Sequence, residues 1–259
     1  MPLTIHHLHS SQSERIPWLC EELNIPYELK TYKRDPIFAP PEYKALHPSG
    51  AAPVIQDTLP TNDDGSDAEP QTLILAESCA CVEYISHKYG NGRLFLPSTH
   101  KDYATFLYWF HWANGTFQPL LGRLLTVETI MGSIGGGGGG NSNSRSETQN
   151  QTLGSNPLIA LWSGRRQRAL RMLDNRFKKR DEGGEEATWL AGEEFTAADI
   201  IVVFSLTTFR NWYRYSLQEY KGILGYLQRI GGREGYRRAM AQVEPEMTLA
   251  LDAEPPVKM

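Results

Sequence analysis

Apolar and polar positions alternate differently in the two halves of this chain. In the first ninety or so residues the apolar runs are short. "LTIHHL" (residues 3–8) reads as a strand, and "YELKTY" (27–32) alternates as a second one. Between them, "ERIPWLCEELN" places Trp18, Leu19, Glu22 and Leu23 at helical spacing. Pro17 lacks a backbone donor and is tolerated only in a first turn. That puts the helix start near Ser13 and leaves Ser10 and Ser11 in the loop before it. Strand, helix and strand so close together make a βαβ unit. A short helix in "PPEYKALHPSG" follows, then the strands "PVIQD" and "QTLILAE" and the helix "ESCACVEYISHKYG". Ser78, Cys81, Val82, Ile85 and Tyr89 fall on one face of that helix, and Gly90 ends it. The acidic, turn-rich "TLPTNDDGSDAEP" joins the two strands as an enlarged hairpin loop. The order β-α-β-α-β-β-α predicts a small mixed sheet with helices on its faces.

From about residue 99 only helical patterns recur. "DYATFLYWFHWANGTFQPLLGRLLTVETI" is long and aromatic. "PLIALWSGRRQRALRMLDNRFKKR" is long and basic, and its charges suit a solvated or subunit-facing side. "FTAADIIVVFSLTTFRNWY" is almost wholly apolar, as in a helix buried all round. "QEYKGILGYLQRIGG" and "GYRRAMAQV" complete the set. "GSIGGGGGGNSNSRSETQNQTLGSN" cannot build a core and reads as a flexible insert.

Composition narrows the function. The chain has 259 residues and a formal net charge of −4, which disfavours nucleic acid as a main partner. No apolar run approaches the ~20 residues needed to span a bilayer. "MPLTIHHLHS" has neither a basic region nor a long apolar one, and "VKM" is not a peroxisomal address, so a cytoplasmic protein is expected. Cys20, Cys79 and Cys81 show no metal-ligand spacing, so no structural metal is expected.

Four stretches can carry chemistry. "SSQSER" (10–15) lies at the first strand-to-helix junction, where unpaired N–H groups and a partial positive charge favour an anion. The structural alternative is that Ser13 caps the helix and Ser10 and Ser11 are polar loop residues. In "HPSGAAPVI" (47–55), Gly50 permits a turn and Pro53 opens a strand. If the Ala52–Pro53 bond is cis, the Val54 backbone is free to pair with a peptide; otherwise Pro53 is an ordinary edge-strand proline. In "LAES", Glu77 and Ser78 stand at a second strand-to-helix junction and suit the ammonium and carboxylate of an amino acid, although Ser78 also makes a helix cap. In "FTAADI", Thr196 and Asp199 have capping-box spacing, a structural role.

These motifs, in this order and followed by an all-helical half with "WLAGEEFTAADI", resemble the cytosolic glutathione transferase superfamily. The resemblance covers nearly the whole chain apart from the hairpin loop and the glycine-rich insert. "SERIPWLCEELNIPYELKTYKRDP" and "YWFHWANGTFQPLL" are most similar to its bacterial and fungal branch. The "SSQSER" loop also resembles the "SSCSWR" loop of maleylacetoacetate isomerases, the zeta class, with Gln12 at the position of their central cysteine.

The resemblance implies a thioredoxin-like domain over 1–92 that binds glutathione as co-substrate. It implies an all-helical domain over 99–250 for a hydrophobic electrophile, with the flexible insert at about 132–156. Pro53 is then the cis proline, Val54 pairs with the cysteinyl backbone, and Glu77 and Ser78 hold the γ-glutamyl group. Ser13 and His47 complete the glutathione set. The activating hydroxyl is Ser11 or Ser10, with Ser11 favoured. Tyr108, His111 and Trp112 on the aromatic helix are the electrophile candidates, with Asn114 nearby. Many members carry Lys or Arg where this chain has Ala51, so the expectation is either that Lys44 or His47 meets the glutathione carboxylate instead or that glutathione binds more weakly. A homodimer is expected. The activity expected is glutathione conjugation. The alternatives are a glutathione-dependent isomerase and a non-catalytic binding or assembly module of the same fold. The combined serine, proline and Glu77–Ser78 set weighs against the module, and the absence of cysteine from the serine loop weighs against disulfide reduction.

Overall fold

The computed structural model describes residues 3–59, 71–134, 157–178 and 187–255. Strands β1 (Thr4–Leu8), β2 (Glu28–Tyr32), β3 (Val54–Thr58) and β4 (Thr72–Ala76) form one sheet in the order β2-β1-β3-β4. β1 and β2 are parallel, with Thr4 opposite Glu28 and Leu8 opposite Tyr32. β3 is antiparallel to both β1 and β4. The expected hairpin is therefore present at its base, where Leu59 N donates to Gln71 O at 2.9 Å. The acidic tip lies outside the described residues.

β1 is central, and all five of its residues are buried. Its alternation sends Ile5 toward α1 (Arg15–Leu23) and α3 (Ser78–Gly90), and Leu8 toward Tyr43 of α2 (Pro41–Lys44) on the other face. This is the thioredoxin-like arrangement. Pro17 is the third residue of α1, inside the first turn as its missing donor requires. Asn24, at φ +54°, turns the chain out of α1. At the end of α3 the left-handed residue is Asn91, not Gly90. Gly90 serves close approach instead, since a Cβ there would lie 3.0 Å from Leu23 Cδ1. Tyr89 also departs from the expected buried face. It is exposed, and its hydroxyl donates to Asp57 Oδ1 at 2.7 Å, because the polar tip is satisfied only outside the apolar stripe.

The second half contains α4 (Tyr103–Trp112), α5 (Gln118–Ile134), α6 (Pro157–Arg176), α7 (Ala197–Leu206), α8 (Lys221–Gly232) and α9 (Glu234–Val243). The aromatic stretch is not one regular helix, because a π-helical turn at Ala113–Phe117 separates α4 from α5. α5 also continues to Ile134, past the expected start of the insert, and the rest of that insert lies outside the described residues. Every residue of α7 is buried, and Thr196 and Asp199 form its capping box. Ile16 and Leu19 of α1, Phe106 of α4, Ile201 of α7 and Tyr236 of α9 belong to one continuous apolar core. The sheet half and the helical half therefore share a core. Among the described residues, no helix is long and apolar enough to cross a membrane.

Candidate active site

β1 ends at Leu8, and the chain turns through Ser10, at φ +51°, into a 3-10 turn over Gln12–Glu14. This turn lies between the loop and α1, so the cap moves back along the chain. Ser11, not Ser13, is the N-cap, and its hydroxyl accepts from Ser13 N at 3.2 Å. The Ser11 hydroxyl also donates to Leu8 O at 2.7 Å and lies 2.7 Å from Ser13 Oγ. Ser13 is fully buried. Its Oγ accepts from Leu8 N at 3.0 Å and lies 2.9 Å from His7 Nδ1. Ser13 thus locks the loop onto β1. Ser10 is held by its backbone: its N–H donates to Glu244, and its carbonyl accepts from Trp212 Nε1 at 3.0 Å and Arg34 Nη2 at 3.1 Å.

The Ala52–Pro53 peptide is cis, and Pro53 and Val54 are buried at the start of β3. Gln12 ties this segment to the serine loop by donating from Nε2 to Ala52 O at 2.6 Å. Gly50, at φ +58°, makes the turn that precedes it. His47 lies beyond that turn, its Nδ1 2.9 Å from Ser49 Oγ, and Ala51 is exposed. The Lys44 ammonium sits 5.9 Å from the Phe38 ring centre.

Glu77 is exposed, with a φ of +76° just before α3. Ser78, the first residue of α3, is buried and accepts from Arg15 Nη1 at 2.8 Å. Arg15 is fully buried and joins three parts of the fold. Its Nη2 donates to Gln118 Oε1 and to Ile201 O, both at 2.6 Å, and its Nη1 also reaches Gln12 Oε1 at 3.2 Å and Asn114 Oδ1 at 3.4 Å. The π-helical turn accounts for this geometry, since it carries Asn114 and directs Gln118 to the same guanidinium. Burial lowers Arg15 to about 10, still charged at neutral pH. Beside it, burial pushes the Glu14 carboxyl up to about 8, where it accepts from Thr208 Oγ1 at 2.6 Å.

The cysteines are free and unsuited to thiolate chemistry. Burial pushes Cys79 up to about 11 and Cys81 up to about 12, and raises Cys20 as well.

The serine loop, the Pro53 segment, Ser78 and Asn114 thus converge through Gln12 and Arg15. The aromatic-helix candidates do not form a single cluster. Tyr108 is half exposed, with its hydroxyl 3.3 Å from Met172 Sδ of α6. Trp112 is buried and stacks on Phe117 with ring centres 4.9 Å apart. His111 opens into a separate groove of about 640 Å³, lined also by Glu83, His87, Phe95 and Phe110. Sequence reasoning missed Gln118, His7 and Glu244 altogether. Three histidines among residues 6–9 were the available signal for His7.

Comparison with known proteins places this fold in a family. The family described as "Glutathione S-transferase, N-terminal domain" matches residues 9–88, and "Glutathione S-transferase, C-terminal domain" matches residues 156–229. The chain belongs to the glutathione S-transferase superfamily. Glutathione S-transferase 3 of Schizosaccharomyces pombe is 28% identical over 257 residues, 97% of this chain and 93% of its own. Glutathione S-transferase 1 of Saccharomyces cerevisiae is 33% identical over 121 residues, 46% of this chain and 48% of its own. A solved glutathione S-transferase from Actinobacillus pleuropneumoniae superposes with a TM-score of 0.59 at 26% identity, covering 93% of each chain. A Burkholderia graminis transferase, solved with two glutathione molecules per subunit, has a TM-score of 0.63 at 20% identity over 95% of this chain and 90% of its own, a likeness of fold.

Proposed function

We propose that this member of the superfamily is a glutathione transferase that activates the glutathione thiol and directs it at a hydrophobic electrophile. The observation that carries the reading is the tie from Gln12, the neighbour of Ser11, to the Ala52–Pro53 segment and, through Arg15, to Ser78. The three segments that the resemblance assigns to the thiol, the cysteinyl backbone and the γ-glutamyl group are held together by direct hydrogen bonds.

In this reading Val54 pairs with the cysteinyl backbone, and Glu77 and Ser78 receive the γ-glutamyl headgroup. A free cysteine thiol with a pKa near 8.5 is only a few per cent thiolate at neutral pH. Lowering it by ~2 units requires about 2.7 kcal/mol. One charge-assisted hydrogen bond at a helix N-terminus contributes about 1.5–3 kcal/mol, which is enough. The Ser11 hydroxyl supplies it by rotating away from Leu8 O, its present acceptor, toward the stronger anionic one. The serine stays protonated and donates.

The glutathione unit is taken as 1–92 and the electrophile unit as 99–250. Among the aromatic candidates Tyr108 is favoured for contact with the electrophile, because half of it is exposed, whereas Trp112 is packed in the core. A homodimer in the cytoplasm completes the proposal. Calorimetry with glutathione, followed by turnover on a panel of electrophiles, tests it. Absence of glutathione binding at millimolar concentration overturns it.

A further inference from the structure

Behind the serine loop lies a continuous chain of polar side chains in the interior. Glu244, the residue that ends α9, is 3.1 Å from His7 Nε2 through Oε1. His7 Nδ1 is 2.9 Å from Ser13 Oγ, and Ser13 Oγ is 2.7 Å from Ser11 Oγ. All four residues are buried, His7 and Ser13 completely. The chain joins the end of α9 to the hydroxyl that faces the thiol in the proposed reaction.

We propose that this chain is a proton relay, in which His7 receives the glutathione thiol proton through Ser11 and Ser13 and Glu244 holds His7 in place. The inference rests on the reading of Ser11 as the thiol-facing hydroxyl.

The directions of the hydrogen bonds follow from the groups present. Burial alone pushes the Glu244 carboxyl up, but hydrogen bonds from His7, from Ser10 N–H and from His9 outweigh it and hold it below the usual range. An ionised carboxylate only accepts. Burial lowers His7, despite the opposing pull of Glu244, so the imidazole is neutral with a single N–H. That N–H is spent on Glu244, so Nδ1 is bare and accepts the Ser13 proton. Ser13 Oγ then keeps a lone pair for Ser11, whose single proton turns from Leu8 O to Ser13 Oγ when the relay operates.

When glutathione binds, its S–H meets Ser11 Oγ. The thiol proton passes to Ser11, the Ser11 proton to Ser13, and the Ser13 proton to His7 Nδ1. Each O–H bond broken is replaced by a new one, and His7 gains the N–H bond. The products are a thiolate accepting from the Ser11 hydroxyl and an imidazolium paired with Glu244, and the new negative charge on sulfur offsets the burial that keeps His7 neutral before glutathione binds. The arrangement uses the logic of a Ser-His-acid triad, with a second serine inserted. Four other groups face this pair. His9 Nδ1 contacts Glu244 Oε2 at 3.1 Å, and Ser10 N–H donates to Oε1. Arg34, bonded to the carbonyls of His9 and Ser10, disfavours the imidazolium. Glu14 lies near enough to Glu244 for the two carboxyls to repel. His7, His9 and Glu244 also have the spacing of a metal cluster, their ligand atoms within 4.8 Å, but here those atoms bond one another and the loop.

The test counts protons. At pH 6.5 free glutathione is a thiol. Thiolate formed on binding is read by ultraviolet difference absorbance. Protons released are read by calorimetry in buffers of different ionisation enthalpy. The expected result for the wild type is thiolate with well under one proton released for each. His7→Asn keeps an acceptor near Ser13 but cannot keep the proton. It should raise the bound thiol pKa by at least one unit, and each thiolate that forms should release one proton. Glu244→Gln, at the helix end, keeps the hydrogen-bond pattern without the charge and should shift both readouts in the same direction by less. One proton released per thiolate in the wild type overturns the relay, as does a His7→Asn protein that matches the wild type in both readouts. If the wild type forms no thiolate at saturating glutathione, the transferase reading itself fails. If thiolate forms and only Ser11→Ala shifts it, the relay fails alone.

Discussion

The Gln12 side chain donates to the carbonyl of Ala52, 40 residues away, at 2.6 Å. Its amide oxygen accepts from Arg15 at 3.2 Å and also from Gln118. Gln12 therefore bridges the serine loop, the cis-proline segment and the start of α5. We expect Gln12→Ala to loosen the Pro53 segment. Glutathione affinity should fall about tenfold, or 1.4 kcal/mol, while the melting temperature changes little. Titration calorimetry beside a thermal melt checks this.

Arg15 is the costlier side chain to lose. A lysine at this site keeps the charge but offers three donors in another geometry. Arg15→Lys should cost about 2 kcal/mol in urea unfolding, and Arg15→Ala about 3–5 kcal/mol, because the acceptors on Ser78, Gln118 and Ile201 lose their donor. Equal stability in the lysine variant and the wild type would contradict the role of the planar fork.

The two inner serines should separate in their effects. Ser11→Ala should raise the pKa of bound glutathione by about 1–2 units with a modest stability loss. Ser13→Ala leaves Leu8 N–H without its acceptor and should cost about 1–3 kcal/mol of stability as well. Ultraviolet titration and denaturant melts of both variants distinguish the two roles.

Glu77→Ala should weaken glutathione at least tenfold, about 1.4 kcal/mol, without altering the fold, since its side chain caps nothing in α3. Unchanged affinity by calorimetry would remove the headgroup assignment.

A pH-dependent prediction concerns Asp57. Burial pushes this carboxyl up, but hydrogen bonds from Lys88, Tyr89, Tyr84 and Thr58 N–H outweigh it and lower its pKa. Lys88 Nζ lies 2.7 Å away. A lowered carboxyl contributes stability that is present above its unfolded pKa of about 3.9 and disappears as the pH falls through the folded value. Asp57→Asn should cost about 2 kcal/mol at pH 6, and the gap from wild type should close below about pH 4. A gap that persists at pH 2 would assign the effect to packing.

Much of the fold was legible because its signals are local. Pro17 located α1, the alternation in 27–32 located β2, and the Thr196–Asp199 spacing located the start of α7. The stretches that the resemblance assigns to glutathione stood out for the same reason, each being contiguous, two at strand-to-helix junctions and one between α2 and β3. What escaped was long-range. Nothing near Gln118 in the sequence announces a partner at Arg15, because a π-helical turn decides which way it faces. The pattern around Tyr108, His111 and Trp112 fixed a helix but not which side meets the core, since aromatic residues surround it. The spacing points to Ser13 as the cap, whereas the cap is Ser11, because the intervening 3-10 turn leaves no mark in the spacing.

Glu244 is 237 residues from His7, yet the two meet in the interior. A ribosome-borne chain that has completed its sheet still lacks the group that holds His7 and the Ser10 backbone. The serine loop thus gains its full set of partners only once α9 and Glu244 have been made. A chain cut short before Glu244, even with every glutathione-facing residue in place, would carry an unfinished loop.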